Sequence, residues 1–310
     1  MTRKNGSTIL LTDPTGTVGN AVVKRLASSD KNIIRVAVDT KEKVGKIKHA
    51  DEIVDIDYSR PETIAEVMDN VDRLFLRIPP SDGMVDMSSN FVEEAKRNGV
   101  NFIVKLSVMG ADVEQGYTIG RLHRRVEKII EESGIPFVFL RPNSFMQNFV
   151  TRSSQTLKTQ NAISLPAGNA KISLVDARDV AAVAAEVLTG NGSQHMNKVY
   201  DITGPEALSH SQFAEILSTE IGRKISYMNI SGEELRDRLK MIGIVEWFID
   251  NALELYTMYR SDYRSQTTTV VEHLTVQEPI SFSQFVSDYR QNGLSWPNQL
   301  NFMTGWLKFE

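Results

Sequence analysis

The segment 12–19, with the sequence TDPTGTVG, constrains the fold more than any other part of the chain. The preceding run, residues 7–12 (STILLT), is typical of a buried strand, and residues 17–28 after it have the apolar spacing of a helix. Gly16 and Gly19 stand at the turn, where glycine permits close backbone approach and tight helix–strand packing. Such a turn predicts a loop whose amides and helix dipole hold a pyrophosphate. A tight turn without a ligand is the alternative.

Short β-branched runs alternate with helical patterns through the first half of the chain. Strands are predicted at 7–12, 33–38, 52–56, 73–78, 101–106 and 136–140, and helices at 17–28, 43–49, 61–69, 87–98 and 120–133. Apolar strands separated by helices indicate a parallel sheet covered on both faces, and right-handed crossovers make it doubly wound. We therefore expect an α/β fold with a doubly wound parallel Rossmann sheet in a dinucleotide-binding domain, residues 1–150.

The regular alternation fades beyond residue 150. One strand pattern lies at 198–202, and helical patterns lie at 177–188, 209–221, 231–242, 245–259 and 281–292. We expect a smaller, mostly helical substrate lobe, 151–310, whose segments near 172–188 and 198–202 return to pack on the sheet. Asp176 and Asp179 can cap the helix that follows them. The aromatic residues of 293–310 are expected to pack on the body or to form a subunit interface.

Composition excludes several classes of function. The net charge is −4 and charges of both signs are interspersed, so no basic stripe indicates nucleic-acid contact. The absence of cysteine excludes disulfides, thiolate nucleophiles and zinc–sulfur sites, and no metal site is predicted. No signal peptide and no apolar run near ~20 residues is found, so we expect a cytoplasmic protein without membrane contact. A homodimer is compatible with the sequence.

Acidic residues and prolines end the strands after the loop. Asp39 lies twenty residues beyond Gly19 at the end of the second strand, where a carboxylate accepts hydrogen bonds from the adenosine ribose and repels a 2′-phosphate. Asp57 follows the third strand and would lie near the adenine edge, and Pro79 closes the fourth strand on the same rim. Helix capping, loop capping and chain punctuation are the alternatives. The residues predicted to bind the cofactor around the loop are Asp13, Thr15, Gly16, Thr17, Val18 and Gly19.

Four further segments follow the carboxyl ends of later strands: VKLSVMGAD (104–112), GRLHRRVE (120–127), FLRPNSFMQNF (139–149) and SLVDARDVA (173–181). With YDITGPEALSHSQFAEILSTEIGR and the closing SFSQFVSDY, they resemble the NmrA-like family of atypical short-chain dehydrogenases/reductases, from about Thr8 to Tyr289. That family includes NADPH sensors, quinone and triphenylmethane reductases, and isoflavone-reductase-type relatives. The resemblance implies an NAD(P)(H) cofactor and a small-molecule substrate.

The resemblance also selects a proton donor. No Tyr-x-x-x-Lys pair occurs in the helix predicted from Gly120. His123 stands where plant relatives carry a catalytic lysine and bacterial quinone-type reductases a histidine. An imidazole, with a reference pKa near 6.5, can donate a proton at neutral pH. Glu127, one turn later on the same face, would orient the ring or pair with a neighbouring arginine. A packing role for His123 is the alternative.

The remaining site residues follow the fifth and sixth strands. Ser107 is a second catalytic candidate, able to hydrogen-bond the nicotinamide or a substrate oxygen, with strand-end capping as the alternative. The resemblance implies that Asn143, Ser144 and Phe145 border the nicotinamide. The predicted apolar wall for a flat substrate consists of Met109, Met146 and Phe149, for which plain core packing is the alternative. Arg141 and Asp179 are expected to make structural hydrogen bonds.

Two acids depart from the family pattern. Asp13 occupies the first position of Gly-x-x-Gly-x-x-Gly, and a carboxylate ~4 Å from a phosphate costs about 1–4 kcal/mol. Asp39 stands where NADP-dependent relatives present an arginine, which favours NAD(H). Three functions follow: an NAD(P)H-dependent reductase of a flat conjugated molecule (quinone, enone, imine or dye); an NAD(P)-sensing regulator; or, if cofactor binding is weakened or lost, a non-redox cyclase or isomerase in the same pocket.

Overall fold

The computed structural model describes residues 6–29, 31–39, 44–45, 47–58, 60–113, 116–151, 154–190, 192–261 and 263–291. Its strands are β1 Thr8–Thr12, β2 Ile33–Val38, β3 Glu52–Asp55, β4 Arg73–Leu76, β5 Phe102–Leu106, β6 Phe137–Pro142, β7 Ala162–Leu165, β8 Lys171–Ile172, β9 Lys198–Ile202, β10 Leu208–Ser209 and β11 Ser226–Asn229. Its α-helices are α1 Thr17–Leu26, α2 Pro61–Val67, α3 Met84–Arg97, α4 Thr118–Ser133, α5 Asn148–Thr151, α6 Ser154–Thr159, α7 Ala177–Thr189, α8 His210–Ile221, α9 Gly232–Met241, α10 Glu246–Tyr259, α11 Val270–Thr275 and α12 Phe282–Gln291. Within these described ranges, no helix combines the length and the apolar character needed to cross a membrane.

The main sheet has the strand order β3-β2-β1-β4-β5-β6-β9. Every neighbouring pair in it is parallel. Leu11 of β1 lies opposite Val36 of β2 on one side and Phe75 of β4 on the other. This order, with its reversal between β1 and β4, confirms the predicted doubly wound Rossmann sheet. The reversal directs the ends of β1, β4 and β5 toward one crevice.

Helices cover both faces of the sheet, as continuous apolar strands require. On one face α1 and α7 pack together, and their side chains join the apolar cluster formed with the strands. On the other face α2, α3 and α4 bury residues such as Phe91 and Val126 against Leu74 and Phe139. β9 pairs with β6 and α7 packs against α1, so segments beyond residue 150 contribute one strand and one covering helix to the main sheet.

The C-terminal region has a core of its own. Phe149, Phe213 and Phe282 lie with ring centroids 4.6–5.3 Å apart at its centre. Two small sheets, β7 with β11 and β8 with β10, accompany the helices. The sequence patterns did not indicate these sheets, because strands of two to four residues are too short to show a periodicity.

Several element boundaries differ from the predicted ones. α4 begins at Thr118 rather than at Gly120, because Glu254 of α10 accepts a hydrogen bond from the Thr118 amide at 2.6 Å. Asp176 caps α7, accepting from the Arg178 amide at 2.8 Å. Asp179 instead accepts from a distant amide, that of Ile280, at 2.8 Å, so it makes the expected structural hydrogen bond but does not cap the helix. The aromatic segment 293–310 and part of the predicted helix 43–49 lie outside the described residues.

Candidate active site

A cavity lies at the carboxyl ends of β4, β5 and β6, the edge at which doubly wound sheets bind ligands. Its lining residues from the sheet and the loops after it are Arg77, Ile78, Pro80, Leu106, Ser107, Val108, Pro142, Asn143, Ser144 and Phe145. Tyr117, Ile119 and His123 line it from α4 and the residue before that helix, and Asn148, Asn251, Leu255 and Arg264 complete it. The cavity therefore brings five predicted residues together with side chains of the C-terminal region: Ser107, His123, Asn143, Ser144 and Phe145.

His123 is 5% exposed and lies against a buried lysine. Its Nδ1 is 3.2 Å from Nζ of Lys105, a β5 residue with 0% exposure. The Lys105 Nζ also donates to the carbonyl oxygen of Leu106 at 2.7 Å. When Lys105 is an ammonium group it can only donate, so Nδ1 is then the acceptor and the ring proton belongs on Nε2, at the opposite edge of the imidazole.

The pKa values of His123 and Lys105 both differ from those of exposed side chains. Burial lowers the pKa of His123 well below 6.5, and the positive charges of Lys105 and Arg77 lower it further. The ring is therefore a neutral imidazole at neutral pH. Burial lowers the pKa of Lys105 to about 7, against the opposing negative charge of Glu127.

Glu127 pairs with arginine and does not orient the histidine. Its carboxylate is fully buried and accepts two hydrogen bonds from Arg141, at 2.7 and 2.9 Å, and one from Arg124 at 3.1 Å. Ser107 donates its hydroxyl proton to the same carboxylate at 2.7 Å. Of the two roles open for Glu127, the arginine pair is the one formed. The hydroxyl oxygen of Ser107 keeps its capacity to accept a hydrogen bond from a ligand.

Asn143 connects the sheet to the C-terminal region. Its Nδ2 donates to Ser173 Oγ and to the carbonyl oxygen of Arg264, both at 2.9 Å, and its Oδ1 accepts from the Arg264 guanidinium at 3.2 Å. Arg264 is 2% exposed and also donates to the hydroxyl of Tyr117 at 3.0 Å. With its amide engaged in this way, Asn143 fixes the position of Arg264 at the cavity wall.

The predicted phosphate loop closes tightly on Asp13. This residue has φ 51°, the left-handed conformation that glycine adopts most readily. Its carboxylate forms an ion pair with Arg77 at the end of β4. A Cβ atom on Gly16 would overlap the Asp13 carboxylate, and one on Gly19 would overlap the Asp13 carbonyl oxygen. Only glycine therefore fits at position 19, whereas a side chain at position 16 would require the Asp13 carboxylate to move.

Helix α1 begins directly behind this loop. Gly16 is its N-cap and makes no side-chain hydrogen bond to the helix amides, and no acidic residue lies in the first turn. An N-terminus of this kind, with backbone N–H groups and the positive end of the helix dipole, suits a phosphate. The loop, with Thr15 before the helix and Thr17 and Val18 within its first turn, fits the pyrophosphate of a dinucleotide.

Two neighbouring cavities extend from the loop. Asp13, Thr15, Asp39, Tyr58 and Pro79 line the nearer one, together with Pro14, Ala37 and Val38. The farther one is lined by Asp39, Ile56, Asp57, Tyr58, Gly83, Asp86, Met87 and Asn90. Among these described lining residues the charged side chains are all acidic. Burial raises the pKa of Tyr58, and the charges of Asp13 and Asp39 raise it further.

The predicted apolar wall is only partly present. Phe149 lines a smaller cavity that shares Ser144, Phe145 and Asn148 with the main one. Met109 and Met146 line neither of these two cavities: both are buried, and Met146 belongs to the apolar core of the C-terminal region. The apolar lining comes instead from Leu106, Val108, Ile119 and Leu255, together with Phe145.

Sequence reasoning missed several residues of these sites, among them Lys105, Tyr58, Arg77 and Arg264. A signal existed for Lys105, because a cation within the apolar strand FIVKL contradicts the rule that lysine is almost never fully buried. Tyr58 follows β3 without a distinguishing pattern, and Arg264 is 141 residues from His123 in the chain. Only the tertiary fold brings Arg264 to the cavity.

The strand order, the glycine loop and the cavity beyond β5 place the chain among Rossmann-fold proteins with a dinucleotide-type loop. A model of the NmrA-like family matches residues 5–289, and the chain belongs to that family.

Relatives of known name cover nearly the whole chain. Over 280 residues it is 31% identical to the NAD(P)H azoreductase of Xenophilus azovorans, covering 89% of this chain and 96% of that protein. Over 288 residues it is 31% identical to the prestalk A differentiation protein A of Dictyostelium discoideum, covering 92% and 93%. The structure of Citrobacter sp. triphenylmethane reductase complexed with NADP(H) superposes with a TM-score of 0.80 at 25% identity, covering 91% of this chain and 99% of that one.

Proposed function

We propose that this protein is an NAD(P)H-dependent reductase of a flat, conjugated small molecule such as a quinone, enone, imine or azo dye. The observation that carries the proposal is the position of His123, which is buried and lines a cavity at the carboxyl ends of β4–β6. The phosphate loop follows β1, and β1 lies beside β4 in the sheet. A dinucleotide held by this loop would therefore extend along the carboxyl ends of the strands toward His123.

Different residues of the chain bind different parts of the cofactor. Gly16, Gly19 and the N-terminus of α1 hold the pyrophosphate, and Asn143 and Phe145 border the nicotinamide. A bound nicotinamide supplies the hydride. Apolar side chains of the cavity exclude water from the place where the acceptor accumulates negative charge, which strengthens hydrogen bonds made to it there.

His123 completes the reduction of the acceptor. Its Nε2–H donates a hydrogen bond to the acceptor heteroatom and delivers its proton there as the conjugated carbon or nitrogen is reduced, with Nδ1 taking up a replacement proton so that the ring stays neutral. Ser107, through its hydroxyl oxygen, can accept from an N–H or O–H group of the acceptor or of the nicotinamide amide. The names of two relatives, an azoreductase and a triphenylmethane reductase, denote reduction of extended conjugated molecules and support this substrate class.

We further propose that NAD(H) is preferred over NADP(H). Asp39 is exposed at the end of β2 and lines both cavities beside the loop, where Asp57 and Asp86 add negative charge. A carboxylate at this position accepts from the ribose hydroxyls and repels a 2′-phosphate.

Stopped-flow and steady-state assays test the function directly. Purified protein is mixed with NADH or NADPH and with 2-methyl-1,4-naphthoquinone or an azo dye, and cofactor oxidation is followed. We expect turnover, and a loss of about 10²-fold or more in kcat for His123→Gln. His273→Gln, at an exposed histidine of α11, is the matched control and keeps full activity.

Each alternative function gives a different result. Binding of a dinucleotide without oxidation by any acceptor would indicate a sensor and overturn the reductase. The absence of dinucleotide binding would indicate non-redox chemistry in the same cavity. Unchanged turnover of His123→Gln would remove the role assigned to that histidine.

A further inference from the structure

Lys105 is the least expected charged group in the molecule. It lies on the central strand β5 with 0% exposure, between two buried apolar neighbours, Val104 and Leu106. Its ammonium group contacts one backbone oxygen and one side chain, that of His123. None of the ion pairs found among the described residues involves it, so no carboxylate contact offsets the cost of burying it.

A purely structural role would be served better by another residue. Replacing a buried charge by an apolar side chain of similar length is commonly neutral or stabilising. The Leu106 oxygen that Lys105 contacts belongs to its own neighbour in the chain, so this hydrogen bond joins no separate elements. Among the described residues, the side chain through which Lys105 reaches the cavity is that of His123, whose Nδ1 lies 3.2 Å from the Lys105 Nζ.

We infer that Lys105 is a positioning residue and proton reserve for His123: it fixes the Nε2–H tautomer of the imidazole and replaces the proton that Nε2 gives to the acceptor. This inference rests on the proposed reductase function for the identity of the acceptor. The part that concerns the tautomer does not depend on that function.

The transfer balances as a relay of two protons. As the acceptor gains its hydride, the Nε2–H bond of His123 breaks and an O–H or N–H bond forms on the acceptor. An N–H bond of the Lys105 ammonium breaks while Nδ1–H forms, so the lysine ends as a neutral amine and the imidazole stays neutral in its other tautomer. After the product leaves, water in the cavity returns a proton through His123, since Lys105 itself has no exposed surface.

The charges around the pair set the pH at which the relay works. The groups from neighbouring elements are Arg77 after β4, Arg141 on β6, Glu127 on α4, and Tyr117 and Arg264 across the cavity. Arg77 is paired with Asp13, and Arg141 with Glu127. Burial brings the pKa of Lys105 to about 7, so the ammonium form declines as pH rises through that value. The proton reserve is therefore lost on the alkaline side of neutrality.

Nitrogen-15 NMR of the imidazole rings tests the tautomer without any acceptor or cofactor. The chain has five histidines, and His123→Gln assigns the signal of interest. Below pH 7, where Lys105 is an ammonium group, we expect the wild-type ring to be the Nε2–H tautomer. Lys105→Met should give a mixture of tautomers, whereas Lys105→Gln, whose amide still donates to Nδ1, should restore the wild-type form. Identical His123 signals in wild type and Lys105→Met would overturn the inference.

The pH dependence of turnover tests the proton reserve, with 2-methyl-1,4-naphthoquinone as the probe acceptor. Wild-type kcat should fall as pH rises through about 7. Both Lys105→Met and Lys105→Gln should lose at least tenfold in kcat at pH 6.5 and show no such fall, with the KM for the dinucleotide unchanged. Full activity of Lys105→Gln would overturn the proton-reserve role.

Two controls separate these outcomes from misfolding and from failure of the proposed function. Lys96→Met changes an exposed lysine of α3 and should leave both the NMR signals and the rates unchanged. Thermal unfolding should show Lys105→Met at least as stable as wild type, because a buried charge is removed. If the wild type reduces no acceptor, the reductase proposal fails while the NMR comparison still decides whether Lys105 sets the tautomer.

Discussion

Arg77 donates a hydrogen bond to the carboxylate of Asp13, so the acid at the first position of the phosphate loop is bound to a cation at the end of the neighbouring strand. The side chains are 10% and 12% exposed, which limits screening by solvent. The pair reduces the repulsion that an uncompensated carboxylate would exert on a phosphate. It also keeps the charge of Arg77 engaged at Asp13.

Removing the carboxylate should tighten dinucleotide binding. Asp13→Gly relieves the left-handed backbone strain and releases Arg77 toward the phosphates. We expect Kd for NADH to fall about tenfold or more, equivalent to about 1.4 kcal/mol or more, as measured by isothermal titration calorimetry.

Two further variants separate charge from backbone strain at this position. Asp13→Asn removes the charge but keeps the side-chain shape, and should recover part of the gain. Arg77→Met leaves the carboxylate without its partner and should weaken binding. Weaker binding by Asp13→Gly than by wild type would show that the ion pair helps to form the loop.

Asp39 should control the choice between cofactors. Asp39→Arg replaces a repulsive charge by one that can pair with a 2′-phosphate, so the ratio of the Kd values for NADPH and NADH should shift toward NADPH by about 10²-fold. Titration with all four nicotinamide dinucleotides measures it. Glu132→Arg makes the same charge change at an exposed site on α4 and should leave the ratio unchanged. No shift for Asp39→Arg would contradict the role given to this carboxylate.

Replacing Glu127 should lower the free energy of unfolding more than replacing an exposed acidic residue. Glu127→Gln leaves the buried guanidinium of Arg141 without its bidentate partner and should lower the free energy of unfolding by about 3–5 kcal/mol. Urea unfolding followed by circular dichroism measures the change. Glu131→Gln, which affects a partly exposed ion pair with Arg124, should cost at most about 1 kcal/mol. Equal effects of the two substitutions would contradict the burial argument.

The sheet could be predicted from the sequence because its strands are buried on both faces. All five residues of β1 and of β5 are buried, and both runs are mostly apolar stretches between helical patterns, with Lys105 as the charged exception in β5. Boundaries were less predictable where a distant residue decides them. Thr118 begins α4 because Glu254 accepts from its amide, and these residues are 136 positions apart.

Prediction of the candidate site had the same limit: residues could be proposed from the sequence, but their distant partners could not. Ser107 could be proposed because it follows a strand that ends at the crevice, and His123 because the resemblance to the NmrA-like family implies a proton donor at its position. The partners that define their chemistry could not, since Lys105 meets His123 and Glu127 meets Ser107 only after β5 and α4 pack together. Met146 shows the opposite failure: its type suits a substrate wall, but the fold buries it in the core.

Asp179 should make stability depend on pH. Burial raises the pKa of this carboxyl from 3.8 to about 7, with the charge of Asp176 acting in the same direction and the Ile280 amide opposing both. Because the folded state binds the proton more tightly than the unfolded chain, the free energy of unfolding should fall as pH rises from about 4 to about 7, and this group should add no further change above that.

Asp179→Asn keeps an oxygen that can accept from Ile280 and removes the titration. Its free energy of unfolding relative to wild type should therefore rise by about 2–4 kcal/mol between pH 4.5 and pH 8, measured by urea unfolding at each pH. Asp237→Asn, at an exposed position of α9, provides the control and should follow the wild-type curve. A pH dependence shared by Asp179→Asn and wild type would contradict the assignment.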